Sequence, residues 1–170
     1  MRLWVIGENE MRKQEEQLYP EIEAWFKGYL KDRYPNYEII TTYKTSRITL
    51  DSYLKTLKIN MDVAVGLAIK VDIVAVLRKS EEIKLAFVEV KDDPLTLADL
   101  GQLWGYTQLI NPVESFLVSS KSLGRLSHLF NILNREDLLI YGSRRERTMK
   151  IAKWDTSKKS IDHFSVVPKR

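Results

Sequence analysis

Two carboxylates and an amine sit where a β-hairpin would bring them together. Asp72 lies in "AIKVDIVAVL" (68–77), and Glu89 and Lys91 lie in "IKLAFVEVK" (83–91). Both runs are apolar and β-rich and read as strands, with "RKSEE" as the turn between them. Side chains alternate along a strand, so Glu89 and Lys91 leave the same face as Leu85 and Phe87. Asp72 likewise shares a face with Val74 and Val76. A turn centred near residue 80 sets position 72 against 88 or 89. Asp72 then stands beside Glu89 at the end of the hairpin away from the turn. Adjacent carboxylates repel unless a cation lies between them. Hard oxygen ligands with room for water suit Mg²⁺, or Mn²⁺ in its place. A lysine at the edge of such a site can orient an attacking water or offset charge growing on a phosphate. The chemistry to expect is that of a metal and a phosphate; the alternative is a structural salt bridge of Asp72 and Glu89 with Lys91 on a sheet edge.

Other elements must hold this hairpin end. Residues 95–110 read as a helix, with Asp93 as its N-cap and Pro94 at its first position. "NP" at 111–112 stops it. Gln102 and Tyr106, at i and i+4, share one face with Ala98. An amide and a phenol on that face can hold a water, a carboxylate or a phosphate oxygen. Residues 9–33 read as a helix with Met11, Leu18, Ile22, Trp25, Phe26 and Tyr29 on one stripe. Pro20 either starts the helix proper or kinks it. "YEIITTY" (37–43) reads as a strand. Residues 44–67 read as a short helix followed by a strand, or as an insertion. Strands are expected at 115–120, 137–142 and 147–155, and a helix at 122–134 carries Leu123, Leu126, Leu129, Phe130 and Leu133 on one face. The order α, β, β, β, α, β, α, β predicts an α/β sandwich with a mixed sheet.

The series Asp72, hairpin, Glu89-Val90-Lys91, then "QLWGY" resembles the PD-(D/E)XK nuclease superfamily. The last stretch is similar to the Q-x-x-x-Y signature of its RecB-like branch. The resemblance covers roughly residues 68–120. It implies a restriction-endonuclease-like core in the order α-β-β-β-α-β. It also implies Asp72, Glu89 and the Val90 carbonyl as metal ligands, Lys91 as the catalytic lysine, and Gln102 and Tyr106 as supports. Many members carry a further glutamate on the first helix. Glu15, three residues before Leu18, lies near the apolar stripe, whereas Glu16 points away, so Glu15 is the expected residue. Val71 stands where the family's proline would be. Residues 44–67 have no clear counterpart; they are expected to supply substrate contacts, a dimer interface, or a rival aspartate, Asp51 or Asp62.

The 170 residues suit one nuclease-like domain. No apolar run reaches 18 residues, so no membrane span is expected, and the opening apolar stretch is too short for a signal peptide. Cysteine is absent, which excludes disulfides, Cys-type zinc sites, iron–sulfur clusters and thiol nucleophiles. A cytoplasmic location is the expectation. Phosphate-loop, dinucleotide and zinc-protease motifs are missing. His128 and His163 are not paired at ligand spacing, and Trp104 is expected in the core.

Charge is uneven. From Lys121 to Arg170 twelve Lys/Arg stand against five Asp/Glu, and before Lys121 fifteen stand against eighteen. That asymmetry points to an anionic partner, DNA first. The basic segment 143–170 begins with "SRRER", so Arg144, Arg145 and Arg147, with Lys121, are the candidate phosphate contacts. The expected function is a Mg²⁺-dependent deoxyribonuclease, with self-association as a homodimer compatible with it. The alternatives are a non-catalytic DNA-binding or scaffolding module on the same fold, and an RNA nuclease.

Overall fold

A computed structural model describes residues 2–169. Two helices open the chain, α1 (Arg2–Glu16) and α2 (Tyr19–Arg33). The predicted single helix over 9–33 is therefore two. The break falls at residues 17–18, and Pro20 lies in the first turn of α2, where its missing N–H costs nothing. Met11 is 49% exposed; the apolar stripe buries only from Tyr19 onward, through Ile22, Phe26 and Leu30.

The strand β1 (Glu38–Thr42) and the helix α3 (Leu50–Thr56) lead to the hairpin β2 (Ile73–Lys79) and β3 (Glu82–Lys91). Then come α4 (Leu97–Ile110), β4 (Glu114–Ser119), α5 (Leu126–Asn131), the short pair β5 (Ile140–Tyr141) and β6 (Arg147–Thr148), and finally β7 (Lys150–Asp155) and β8 (Ser160–Ile161). The result is an α/β architecture around a mixed six-stranded sheet, ordered β1-β2-β3-β4-β7-β8. The first three strands are antiparallel neighbours, and β4 and β7 continue the sheet in parallel. Strand alternation gives the sheet two apolar faces. One packs Ala75, Val88, Phe116 and Trp154 against Ile22, Phe26 and Leu30 of α2. The other packs Val76, Phe87 and Leu117 against Leu54, Leu103 and Phe130 of α3, α4 and α5.

Several expected boundaries move for identifiable reasons. β2 begins at Ile73 rather than 68, because the Asp72 carboxylate accepts the Val90 N–H that a ladder carbonyl would otherwise take. α4 is capped by Thr96, not Asp93. Thr96 and Asp99 form a reciprocal capping box, satisfying two backbone donors at once. Residues 44–67 hold α3 and two 3-10 turns, and no strand. The helix expected over 122–134 is only Leu126–Asn131, and Leu133 is exposed. The strand expected over 137–142 shrinks to β5, which joins β6 outside the main sheet. The run 147–155 divides into β6 and β7, and β7 takes the place beside β4. Trp104 is 43% exposed instead of in the core, and its indole N–H donates to the Leu138 carbonyl.

Candidate active site

The ladder pairs Ile73 with Val88, so Asp72 and Glu89 face each other one step beyond it. Both are buried, at 8% and 2% exposure. Asp72 Oδ2 accepts from the Val90 N–H at 2.8 Å. Lys91 stands two residues past Glu89 on the same face, its Nζ 3.2 Å from Glu89 Oε1 and 3.9 Å from Glu15 Oε2. α4 brings Gln102, whose Nε2 donates to Glu89 Oε1 at 3.3 Å. The end of α1 brings Glu15. Glu16 turns away to Arg47 at 2.7 Å. Lys91, Glu15 and Gln102 thus meet the two hairpin carboxylates at one place.

Tyr19 joins them and was not expected. Its hydroxyl lies 2.8 Å from Asp72 Oδ1 and 3.1 Å from Glu15 Oε1. A phenol has one proton. With a proton on Glu15, Tyr19 donates to Asp72 and accepts from Glu15. The available signal was its spacing: Tyr19 is four residues after Glu15, on one face of the single helix expected over 9–33.

The electrostatics are those of a crowded anionic site. Burial, then the neighbouring Asp72, pushes Glu89 up from 4.5 to about 8. Burial likewise raises Glu15 to about 7, with Lys91 opposing it and Asp72 adding to it. Burial is also the main cause of the rise at Asp72, against the pull of Lys91 and the Val90 N–H. For Lys91 burial alone would lower the value, but Glu89, Asp72 and Glu15 outweigh it and hold the ammonium charged. Two buried carboxylates and the half-buried Glu15, facing one ammonium, keep a proton among them near neutral pH.

One atom stands out. Glu89 Oε2 is buried and has no hydrogen-bond partner among the described residues. An unsatisfied buried carboxylate oxygen is costly. It is the donor-free oxygen a cation would take. N–H and C=O of one strand residue leave on the same side, so the Val90 carbonyl shares the edge where its N–H meets Asp72. Asp72, Glu89 and that carbonyl fit a Mg²⁺ ion that keeps several waters. Among the described residues no cluster of three or more His, Cys, Asp or Glu suited to a metal occurs; the set here is two carboxylates and a backbone oxygen. A cavity of about 380 Å³ opens onto these groups, with Arg12, Ser46, Lys70 and Asp93 also on its wall.

Other expected residues lie elsewhere. Tyr106 is half-buried against the core under α4 and does not line the cavity. Asp51 pairs with Lys55 on α3, and Asp62 is exposed in a 3-10 turn. Lys121 reaches the site's end of the sheet, 3.7 Å from Asp92. Arg147 instead donates to the Asn111 carbonyl and side chain at the C-terminal end of α4, with Arg144 and Arg145 exposed beside it. That end is about 20 Å from the helix start, for 14 residues. His128 and His163 are both exposed and apart from the carboxylates.

No family model matches the chain, and no curated protein or solved structure matches it. Among the described residues no helix is long and apolar enough to cross a membrane.

Proposed function

We propose that this chain is a metal-dependent deoxyribonuclease with a restriction-endonuclease-like core of the PD-(D/E)XK type. The observation that carries the reading is the convergence of Asp72, Glu89 and Lys91 at one hairpin end, with Glu89 Oε2 buried and unpartnered. Buried carboxylate oxygens in structural ion pairs are as a rule hydrogen-bonded. Glu15 from α1 and Gln102 from α4 meeting the same carboxylates support it further.

A divalent cation held by Asp72, Glu89 and the Val90 carbonyl would supply Lewis-acid charge for phosphodiester hydrolysis. The chain's own groups do the rest. Lys91 keeps its proton and donates to a non-bridging phosphate oxygen, offsetting charge as water attacks phosphorus and the P–O bond to the leaving oxygen breaks. Glu15, with a pKa of about 7, is suited to take the proton of that water at Oε2. Gln102 fixes Glu89 by holding Oε1, and Tyr19 fixes Asp72.

The test is a cleavage panel. End-labelled single-stranded, duplex, flap and junction DNA, and an RNA, are incubated with Mg²⁺, Mn²⁺ or EDTA beside Lys91→Ala and Glu89→Ala. Metal-dependent cutting of DNA that both substitutions abolish is the expected result. Binding without cutting, equal in all three proteins, would sink the catalytic reading and leave a DNA-binding module; cutting of RNA alone would move the substrate.

A further inference from the structure

A second cavity, of about 320 Å³, adjoins the first and shares Tyr19 and Ser46 with it. Its remaining wall is Tyr43, Lys44 and Arg47, with Glu16 and Pro20. These residues belong to the stretch just after β1, the part of the chain whose role the sequence left open. Tyr43 is 41% exposed, and its ring lies 6.2 Å from that of Tyr19, tilted by 45°; the Tyr19 hydroxyl in turn meets Asp72 and Glu15. The cations are arranged around it. Arg47 is held by Glu16 at 2.7 Å, and Arg12 by the same carboxylate at 3.6 Å and by the Ser46 carbonyl at 3.2 Å. Lys44 is exposed on the wall of the second cavity, and Lys70 is exposed on the wall of the first. On the wall of the second cavity itself two cations, Lys44 and Arg47, stand against the single Glu16.

We propose that this second cavity is a nucleoside subsite. It takes one unpaired base of a single-stranded nucleic acid on Tyr43, with the adjacent phosphate on Arg47 and Lys44. An exposed aromatic supplies a stacking platform for any base, and cations beside it follow the backbone. A base inside a duplex has no free face to offer and would have to leave its stack to enter. Arg47 is positioned by Glu16 and keeps guanidinium N–H groups beyond that contact for a phosphate. The subsite's position next to Asp72 and Glu89 makes it the neighbour of a scissile phosphate, an assignment that rests on the nuclease reading. Its ligand chemistry, an aromatic base with a phosphate, is common to DNA and RNA single strands.

Fluorescence anisotropy in EDTA tests it without any cleavage, using labelled dT12, rU12 and a blunt 12-base-pair duplex. Tyr43→Ala is expected to weaken dT12 or rU12 binding by roughly 5- to 150-fold, the equivalent of ~1–3 kcal/mol, and to leave duplex binding within about twofold. Tyr43→Phe keeps the ring and is expected to keep the affinity. Equal losses on duplex and single strand, no loss, or a Tyr43→Phe as weak as Tyr43→Ala overturns the subsite, as does absence of binding to any of the three. The relative response of dT12 and rU12 names the source of the strand. The same oligonucleotides with Mg²⁺ separate the two readings. Cleavage that ignores Tyr43→Ala removes the subsite and leaves the nuclease. Binding that needs the Tyr43 ring with no cleavage removes the nuclease and leaves the subsite.

Discussion

Glu89→Gln in the metal-free protein separates a catalytic carboxylate from a structural one by the sign of a pH effect. Glu89 moves from 4.5 in the open chain to about 8 in the fold. A carboxylate raised in this way stabilises the fold below its unfolded value and loses that contribution as pH rises through its folded one. The loss therefore runs between about pH 4.5 and 8. At ~1.4 kcal/mol per unit the full shift is worth on the order of 5 kcal/mol, with the group almost wholly buried. In a chain of this size that is roughly a 10 °C change in Tm. Lys91 is raised above its ordinary range and does not titrate in this window. Glutamine has the same shape and no charge, and its side-chain oxygen still accepts from Lys91 and Gln102. The assay is urea denaturation in EDTA from pH 5 to 9, followed by tryptophan fluorescence. Wild type should lose stability across that range, and Glu89→Gln should lose much less and be the more stable protein at pH 9. Glu15, raised to about 7, leaves a smaller fall of the same sign in the variant. A structural ion pair with Lys91 has the opposite signature: a depressed carboxylate, stability lost on acidification, and a variant weaker than wild type at neutral pH. That outcome would refute the reasoning.

Added Mg²⁺ should raise Tm more at pH 8.5 than at pH 6, because the cation must displace protons from Glu89 and Glu15; calorimetric scans at the two pH values check this. Tyr19→Phe removes the hydroxyl donated to buried Asp72 and should cost about 2 kcal/mol in urea titrations, the range for a hydrogen bond to a charged group. Glu114→Ala should cost about 3–5 kcal/mol. Glu114 is 3% exposed at the far end of β4, 2.6 Å from both Arg33 and Lys150, and its loss removes the carboxylate that both cations share. Gly124→Ala should cost roughly 2 kcal/mol or more by the same measurement. Gly124 has φ +53°, and an added Cβ would collide with the Leu95 backbone at the start of the α4 region.

Much of the candidate site was legible because a strand has a strict period. Alternation alone put Glu89 and Lys91 on one face, and a turn near residue 80 was enough to set Asp72 opposite Glu89, as the Ile73–Val88 pair bears out. Gln102 was legible for the same kind of reason, a helix position facing the hairpin end. Tyr106, one turn further along α4, does not reach the site. The turn that separates it from Gln102 moves it about 6 Å along the helix axis, away from the hairpin end, where it packs half-buried against the core.

Helix limits were read less well. Asp93 and Thr96 are both plausible caps in a sequence, and the reciprocal bond to Asp99 chooses between them. At 122–134 an apolar face exists, but only Leu126 and Phe130 find a buried place for it. Short helices depend on tertiary packing more than on their own pattern.

The sequence by itself determined the hairpin, the alternation of its faces and hence the meeting of two carboxylates and a lysine, because these rest on contacts between residues close in the chain. The tertiary structure alone decided the remainder. It brought Tyr19 to Asp72 across more than fifty residues, folded Tyr43 and Arg47 beside Tyr19, and carried Arg147 to the opposite end of α4. Such placements depend on how α1 and α2 dock on the sheet and on which strand lies next to β4. Docking is set by burial of whole faces, which no local spacing records.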